Sequence, residues 1–240
     1  MSTSFDILTV CTGNVCRSPL AEQLLRSGLS DVPRVTVSSA GVYALSGSPM
    51  TPEAAALSTE FGGLGSEHHI ARDLLPAHLD SAGLVLAMSR EHRRSVVELR
   101  PRSSRTAFTL REFARLSEGL ADDELDGVAA LPRDAVTERL SELVRAIAAR
   151  RGLADRPVDP TDDDIVDPYR RGDAAYRESA AQLVPAARRT AEVLRYAATF
   201  VTPATPPTPA RPRMSAASPA SPPSPGSLGS PASPASLEER

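Results

Sequence analysis

The chain has 240 residues, with 27 Lys and Arg against 30 Asp and Glu, a net charge of -3 and 41% hydrophobic residues. This balance provides no basic excess for a nucleic acid and no run of about 20 apolar residues for a membrane span. Two cysteines are too few for a disulfide-stapled secreted fold, and no signal-like segment follows a basic start, so a cytoplasmic setting is expected.

Residues 5–10, FDILTV, are short, apolar and partly β-branched, the composition of a buried strand. Residues 12–18 read as a turn, and Pro19 stands where a first helical turn tolerates it. Leu20, Leu24 and Leu25 repeat at helical spacing and predict a helix to about Leu29. Residues 35–38 form a second strand candidate, ended by a Ser39-Ala40-Gly41 turn. A helix is predicted over 52–61, stopped by Gly62 and Gly63. Residues 83–88, GLVLAM, read as a third strand, with Ser89 capping a charged helix to about Leu99. A fourth strand is predicted over 106–110. Residues 122–126, DDELD, read as a solvated loop, and an amphipathic helix over 132–151 follows from Val136, Leu140, Leu143, Val144 and Ile147. A loop with Pro157, Pro160, Asp162, Asp163 and Asp164 precedes the last helix, 173–199.

Strands alternating with helices predict an α/β fold of three layers, a four-stranded parallel sheet with helices on both faces. Ligands in such folds sit beyond the carboxyl ends of the strands. From Pro203 onward lie 11 of the chain's 22 prolines, amid Ser, Ala and Gly and without an aromatic residue. Such a stretch has little to offset the entropy of ordering, so 201–240 is expected to be a disordered Pro/Ser/Ala-rich tail. Residues 1–200 then form one domain, with an inserted helical segment at about 121–155.

The chemical landmark is Cys11-Thr12-Gly13-Asn14-Val15-Cys16-Arg17-Ser18-Pro19, directly after the first strand. Two cysteines without a second pair, far from His68, His69, His78 and His92, argue against a structural metal site. The spacing is neither a CxxC redox pair nor a Walker loop. An anion-holding loop uses more of the residues. Between a strand end and a helix start, inward-facing amides form a nest, and the free N–H groups of the helix add to it. Gly13 removes a Cβ that would obstruct the curl. Arg17 supplies a planar fork for two phosphate oxygens. Cys11 sits at the base of this positive cup, where a thiolate is favoured and in line with a bound phosphorus atom. Ser18 can donate to that sulfur, and Asn14 can brace the loop. A carboxylic acid must protonate the leaving group, and spacing alone does not choose among Asp159, Asp162, Asp163, Asp164, Asp167 and Asp173.

This loop resembles the signature of the low-molecular-weight protein tyrosine phosphatases. The similarity extends through Ser39-Ala40-Gly41, residues 84–88 and Asp167-Pro168-Tyr169, covering roughly residues 5–119 and 160–199. The resemblance implies a protein phosphatase with Cys11 as nucleophile, Arg17 as phosphate binder and Asp167 as general acid. Thr12, Gly13, Asn14, Val15, Cys16 and Ser18 would complete the phosphate loop, with Thr12, Tyr43 and Tyr169 at the substrate cleft. It implies no cofactor and no metal, and a phosphoprotein as partner. Cys16 would be either a small buried hydrophobe or, as the family implies, a disulfide partner that protects Cys11 from irreversible oxidation. Tyr43 could equally be a packing residue, and His68 and His69 read as loop or core-edge residues.

Phosphotyrosine is the expected substrate. The branch of protein arginine phosphatases is the alternative, because it resembles this chain in placing Thr between nucleophile and glycine and in the loop 39–43. Arsenate reduction needs further thiols, and none follows Cys16. A non-catalytic phosphoprotein-binding module would hold phosphate without releasing it.

Overall fold

The computed structural model describes residues 4–154 and 157–200, so the expected tail lies outside the described residues. The elements run β1 (Phe5–Cys11), α1 (Arg17–Gly28), β2 (Val35–Gly41), α2 (Pro52–Glu60), α3 (Pro76–Ser81), β3 (Ala82–Ala87), α4 (Arg90–Leu99), β4 (Ala107–Thr109), α5 (Leu110–Leu116), α6 (Asp126–Ala129), α7 (Val136–Ala149) and α8 (Gly172–Thr199). The sheet has the order β2-β1-β3-β4 with every pairing parallel. The predicted three-layer α/β architecture is therefore present.

Alternation along the strands builds the two faces. Phe5, Ile7, Leu84, Leu86 and Phe108 join a large core with α1, α5, α7 and α8. Leu8, Val10, Val85 and Ala107 point the other way, into a smaller core with Leu79 of α3 and Val96 of α4. Central β1 connects to β2 on one side, and β3 and β4 lie on the other. That reversal of strand order opens a crevice at the carboxyl end of β1. Among the described residues no helix is long and apolar enough to cross a membrane.

Several boundaries differ from the sequence expectation. The 39–41 segment is no turn: Ser39, Ala40 and Gly41 pair with Thr9, Val10 and Cys11, so β2 runs as far as β1 does. Helix α1 begins at Arg17, two residues before the proline. The fourth strand stops at Thr109, whose side chain accepts the Glu112 N–H while Glu112 accepts the Thr109 N–H, a capping box that turns the chain into α5. Residues 122–126, expected as open loop, form a 3-10 turn over Asp122–Leu125 leading into α6. The 132–151 helix is shorter, Val136–Ala149.

Arg139 on α7 is completely buried, and among the described residues it forms no ion pair with a carboxylate. Its guanidinium donates to Ala197 O at 2.9 and 3.0 Å, to Val128 O and Leu131 O at 2.9 Å, and to Phe200 O. These carbonyls include the free C-terminal end of α8, where a positive charge is favoured. One side chain thus joins α6, α7 and the end of α8.

Candidate active site

The loop after β1 turns its carbonyls outward. Val42 N donates to Cys11 O at 2.9 Å, Tyr43 N to Thr12 O at 3.1 Å, Leu45 N to Gly13 O at 3.0 Å and Thr51 N to Val15 O at 3.0 Å. The remaining carbonyl, Asn14 O, lies 2.7 Å from His69 Nε2. In a planar trans peptide the next N–H points opposite its carbonyl. Five outward carbonyls therefore turn the amides of residues 12–16 to the inner side, the nest an anion requires.

Asn14 makes the curl possible. Its φ is 55°, in the left-handed region that Asn tolerates better than most residues. Its buried amide locks this conformation. Nδ2 donates to Ser18 Oγ at 3.0 Å and Ser39 Oγ at 2.8 Å, and Oδ1 accepts the Arg72 N–H at 2.9 Å. Ser39 in turn donates to Glu22 at 2.6 Å. Gly13 is not the position that demands a missing Cβ, contrary to the sequence expectation. A Cβ there would meet only Val15 and Leu45 side-chain atoms at 3.6–3.9 Å, whereas one on Gly41 would collide with the Thr12 carbonyl. The close approach is between β2 and the loop, which hydrophobic patterning does not reveal.

The Cys11 sulfur lies 2.9 Å from Ser18 Oγ and 3.3 Å from the Asn14 N–H. Arg17, 6% exposed, donates Nη1 to Ile165 O at 3.0 Å and pairs Nη2 with Asp167 at 2.8 Å. Its buried Nε has no partner among the described residues. The segment bearing Asp167 is hung on the sheet: Ile165 N donates to Met88 O at 2.9 Å, and Met88 N to Val10 O at 2.8 Å. Asp167 Oδ1 also accepts the Tyr169 N–H at 3.2 Å. Three of the competing acids have other partners. Asp163 pairs with Arg115, Asp164 with Arg90, and Asp159 holds the Thr161 N–H.

Cys11, Thr12, Gly13, Val15, Cys16, Arg17, Tyr43, Asp167 and Tyr169 line one pocket of about 130 Å³, together with Leu45. Asn14 and Ser18 stand behind it. Tyr43 stands at the rim of this pocket, 79% exposed. Cys16 is unpaired and buried. Its sulfur is 3.3 Å from Tyr176 Oη, which donates to Thr51 Oγ1 at 3.0 Å. Burial pushes the Cys16 thiol upward, against the opposing pull of the Tyr176 and Thr51 hydroxyls.

Sequence reasoning missed Leu45, Ser39, Glu22, Arg72, Thr51, Tyr176 and His92, and it assigned His69 no duty toward the loop. His92 is buried, with Nε2 2.8 Å from Thr12 Oγ1. These residues reach the loop from β2, α1, α4 and α8, from the N-cap of α2 and from the segments between the elements, so no local spacing marks them. Among the described residues no three His, Cys, Asp or Glu side chains come together as a metal site.

The chain is similar to proteins already known. The sequence profile of the family described as low molecular weight phosphotyrosine protein phosphatase matches residues 6–146. A protein-arginine-phosphatase of Geobacillus stearothermophilus is 36% identical over 146 residues, 61% of this chain and 95% of the relative. A probable low molecular weight protein-tyrosine-phosphatase of Ralstonia solanacearum is 41% identical over 107 residues, 45% of this chain and 71% of the relative. Among solved structures, the arginine phosphatase of G. stearothermophilus superposes with a TM-score of 0.55 at 29% identity, covering 80% of this chain and 93% of the other. The low molecular weight protein tyrosine phosphatase of T. tengcongensis does so with a TM-score of 0.55 at 28% identity, covering 79% and 99%.

Proposed function

Since the chain belongs to the low molecular weight phosphotyrosine protein phosphatase family and is a phosphomonoesterase, we propose that Cys11, Arg17 and Asp167 hydrolyse phosphotyrosine in protein substrates through a cysteinyl-phosphate intermediate. The observation that carries this reading is the pocket in which the Cys11 sulfur, the Arg17 guanidinium and the Asp167 carboxyl meet. Phosphate oxygens would take the inward amides of residues 12–16 and the fork of Arg17, including its unpartnered Nε. The sulfur then attacks phosphorus, a P–S bond forms, and the bond from phosphorus to the phenolic oxygen breaks. Asp167 gives its proton to that oxygen. In the second step water attacks phosphorus, Asp167 takes a proton from the water, and the sulfur leaves. Ser18 and the Asn14 N–H stabilise the sulfur as attacking and leaving group.

The walls favour a phenyl ring: Val15, Leu45, Tyr43 and Tyr169 surround the mouth. Phosphoarginine is the second reading, favoured because the relatives aligned over 146 and 148 residues are named protein-arginine-phosphatases. The test is phosphate release from matched phosphotyrosine and phosphoarginine peptides, with Cys11→Ser as the blank. A higher kcat/KM on phosphotyrosine supports the first reading, and the reverse order replaces it with the second. Undiminished release by Cys11→Ser would remove the covalent mechanism. The free thiols suit a reducing compartment, and fractionation that recovers the protein with cytoplasmic markers would bear out that setting.

A further inference from the structure

Two successive peptides ahead of Asp167 are each gripped at both ends. In the first, Asp164 O accepts Arg111 Nη1 of α5 at 3.0 Å, and Ile165 N donates to Met88 O, just past β3, at 2.9 Å. In the second, Ile165 O accepts Arg17 Nη1 of α1 at 3.0 Å, and Val166 N donates to Gln182 Oε1 of α8 at 2.8 Å. A trans peptide points its carbonyl and its N–H in opposite directions. Arg17 and Gln182 therefore hold one plane from opposite sides. The direction of the Gln182 bond is fixed, because a backbone N–H only donates and must meet the amide oxygen.

Gln182 does not line the pocket. It stands on a firm support, since its neighbours Ala180 and Leu183 on α8 are buried in the larger core. Asp167, by contrast, has a side chain that is 48% exposed, so packing does not fix it, and the resting site holds it by the Arg17 Nη2 pair. Phosphate competes for that nitrogen. With Nη1 on Ile165 O, the edge of the guanidinium left for two phosphate oxygens is Nη2 with Nε, which has no partner among the described residues. Once that edge turns to phosphate, Asp167 loses its ion pair. Its bond to the Tyr169 N–H is local and moves with the segment. Pro168 limits Asp167 to extended backbone, so the place of its carboxyl then follows from the peptides ahead of it.

We propose that Gln182 is a positioning residue for the acid step. Acting through the Ile165–Val166 peptide, it keeps Asp167 within reach of the leaving oxygen while phosphate occupies Arg17. Without the Gln182 oxygen, the Val166 N–H loses its partner and the plane is held at one end only. Asp167 then gives its proton from a looser position, and a misplacement of about 1 Å can slow such a step up to about 10²-fold. The inference rests on the acid role given to Asp167 above and deepens it.

Gln182→Met keeps the length of the side chain and removes the acceptor, whereas Gln182→Glu keeps an acceptor oxygen. The experiment measures kcat/KM on phenyl phosphate and on dinitrophenyl phosphate, which covers the step in which the aryl oxygen departs. Phenolate needs a proton to leave and dinitrophenolate does not. The phenyl-to-dinitrophenyl ratio should fall roughly tenfold in Gln182→Met, part of the 10²- to 10⁴-fold that general acid catalysis supplies. It should stay near the wild-type value in Gln182→Glu. The ratio does not depend on how much of the protein is folded, so a loss of stability alone leaves it unchanged. In Asp167→Asn the ratio should already be low, and adding Gln182→Met should lower it no further. An unmoved ratio in Gln182→Met, an equal fall in Gln182→Glu, or a further fall in the double variant would overturn the positioning role and leave the acid in place. A wild-type ratio in Asp167→Asn would remove the acid role and this inference with it.

Discussion

Asp167 has one carboxyl and two neighbours in the resting site, the Arg17 guanidinium and the Tyr169 amide. As the proposed acid it matters only when the leaving group needs a proton. An asparagine at this position would keep the shape and the hydrogen-bonding reach but could not deliver that proton. For Asp167→Asn, kcat on a phosphotyrosine peptide is expected to fall about 10²- to 10⁴-fold, the usual contribution of general acid catalysis. With dinitrophenyl phosphate, whose leaving group departs as a stable anion, the loss should be far smaller. Steady-state kinetics on both substrates check this, and equal losses would show that Asp167 serves binding rather than proton transfer. Neighbouring Asp163 and Asp164 are held by Arg115 and Arg90, so their Asn variants should not reproduce the split.

At the level of elements, α7 is fastened by Arg139 rather than by apolar packing alone. Its fork satisfies carbonyls of α6, of the turn at Leu131 and of the end of α8 at once. In Arg139→Leu these acceptors lose their donor while remaining buried, and each unsatisfied group costs about 1–3 kcal/mol. Destabilisation of roughly 3 kcal/mol is expected, with Arg139→Lys recovering little because an ammonium cannot span the separated carbonyls. Urea unfolding of both variants measures it. From sequence, Arg139 reads as one more charged helix residue, while Val136, Leu140, Leu143, Val144 and Ile147 mark the same helix clearly. The contrast is general in this chain. Strands β1 and β3 and the loop between Cys11 and Ser18 were legible because apolar runs and turn chemistry are local. The capping box at Thr109 and Glu112 was also local, and α5 could have been found from it. The braces on Asn14 were not legible, since Ser39, His69 and Arg72 arrive through tertiary pairing. The proposal of Asp167 over its neighbours draws on the family resemblance and on the ion pairs of the folded chain.

Across the whole molecule, α8 spans the larger core and touches both halves of the site. Tyr176 meets Cys16 behind the loop, and Gln182 accepts the Val166 N–H on the segment that bears Asp167. Stability and site geometry should therefore respond together to conditions that stress the core, and acid is one. His92 is held near 4 when folded against 6.5 as its ordinary value. Between those values the unfolded chain binds more protons at this group, so its contribution to stability declines as pH falls from about 6.5 and levels off below about 4. The full loss is about 3 kcal/mol. His92→Asn should remove that component, so urea melts at about pH 7 and about pH 4.5, on either side of most of that window, should differ less for the variant than for the wild type. An identical difference would assign the acid sensitivity to other groups. Finally, the Arg17–Asp167 pair means that the resting cleft carries its own tethered carboxylate. A covalently attached competitor stands at a high effective concentration beside the guanidinium, so dissolved carboxylates should seldom displace it. An oxyanion that also engages the ring of amides gains contacts that no single carboxylate offers. Phosphate should thus inhibit at concentrations where acetate has no effect, and Asp167→Asn should narrow that gap. The cleft stays deaf to the organic acids around it only while its own remains in place.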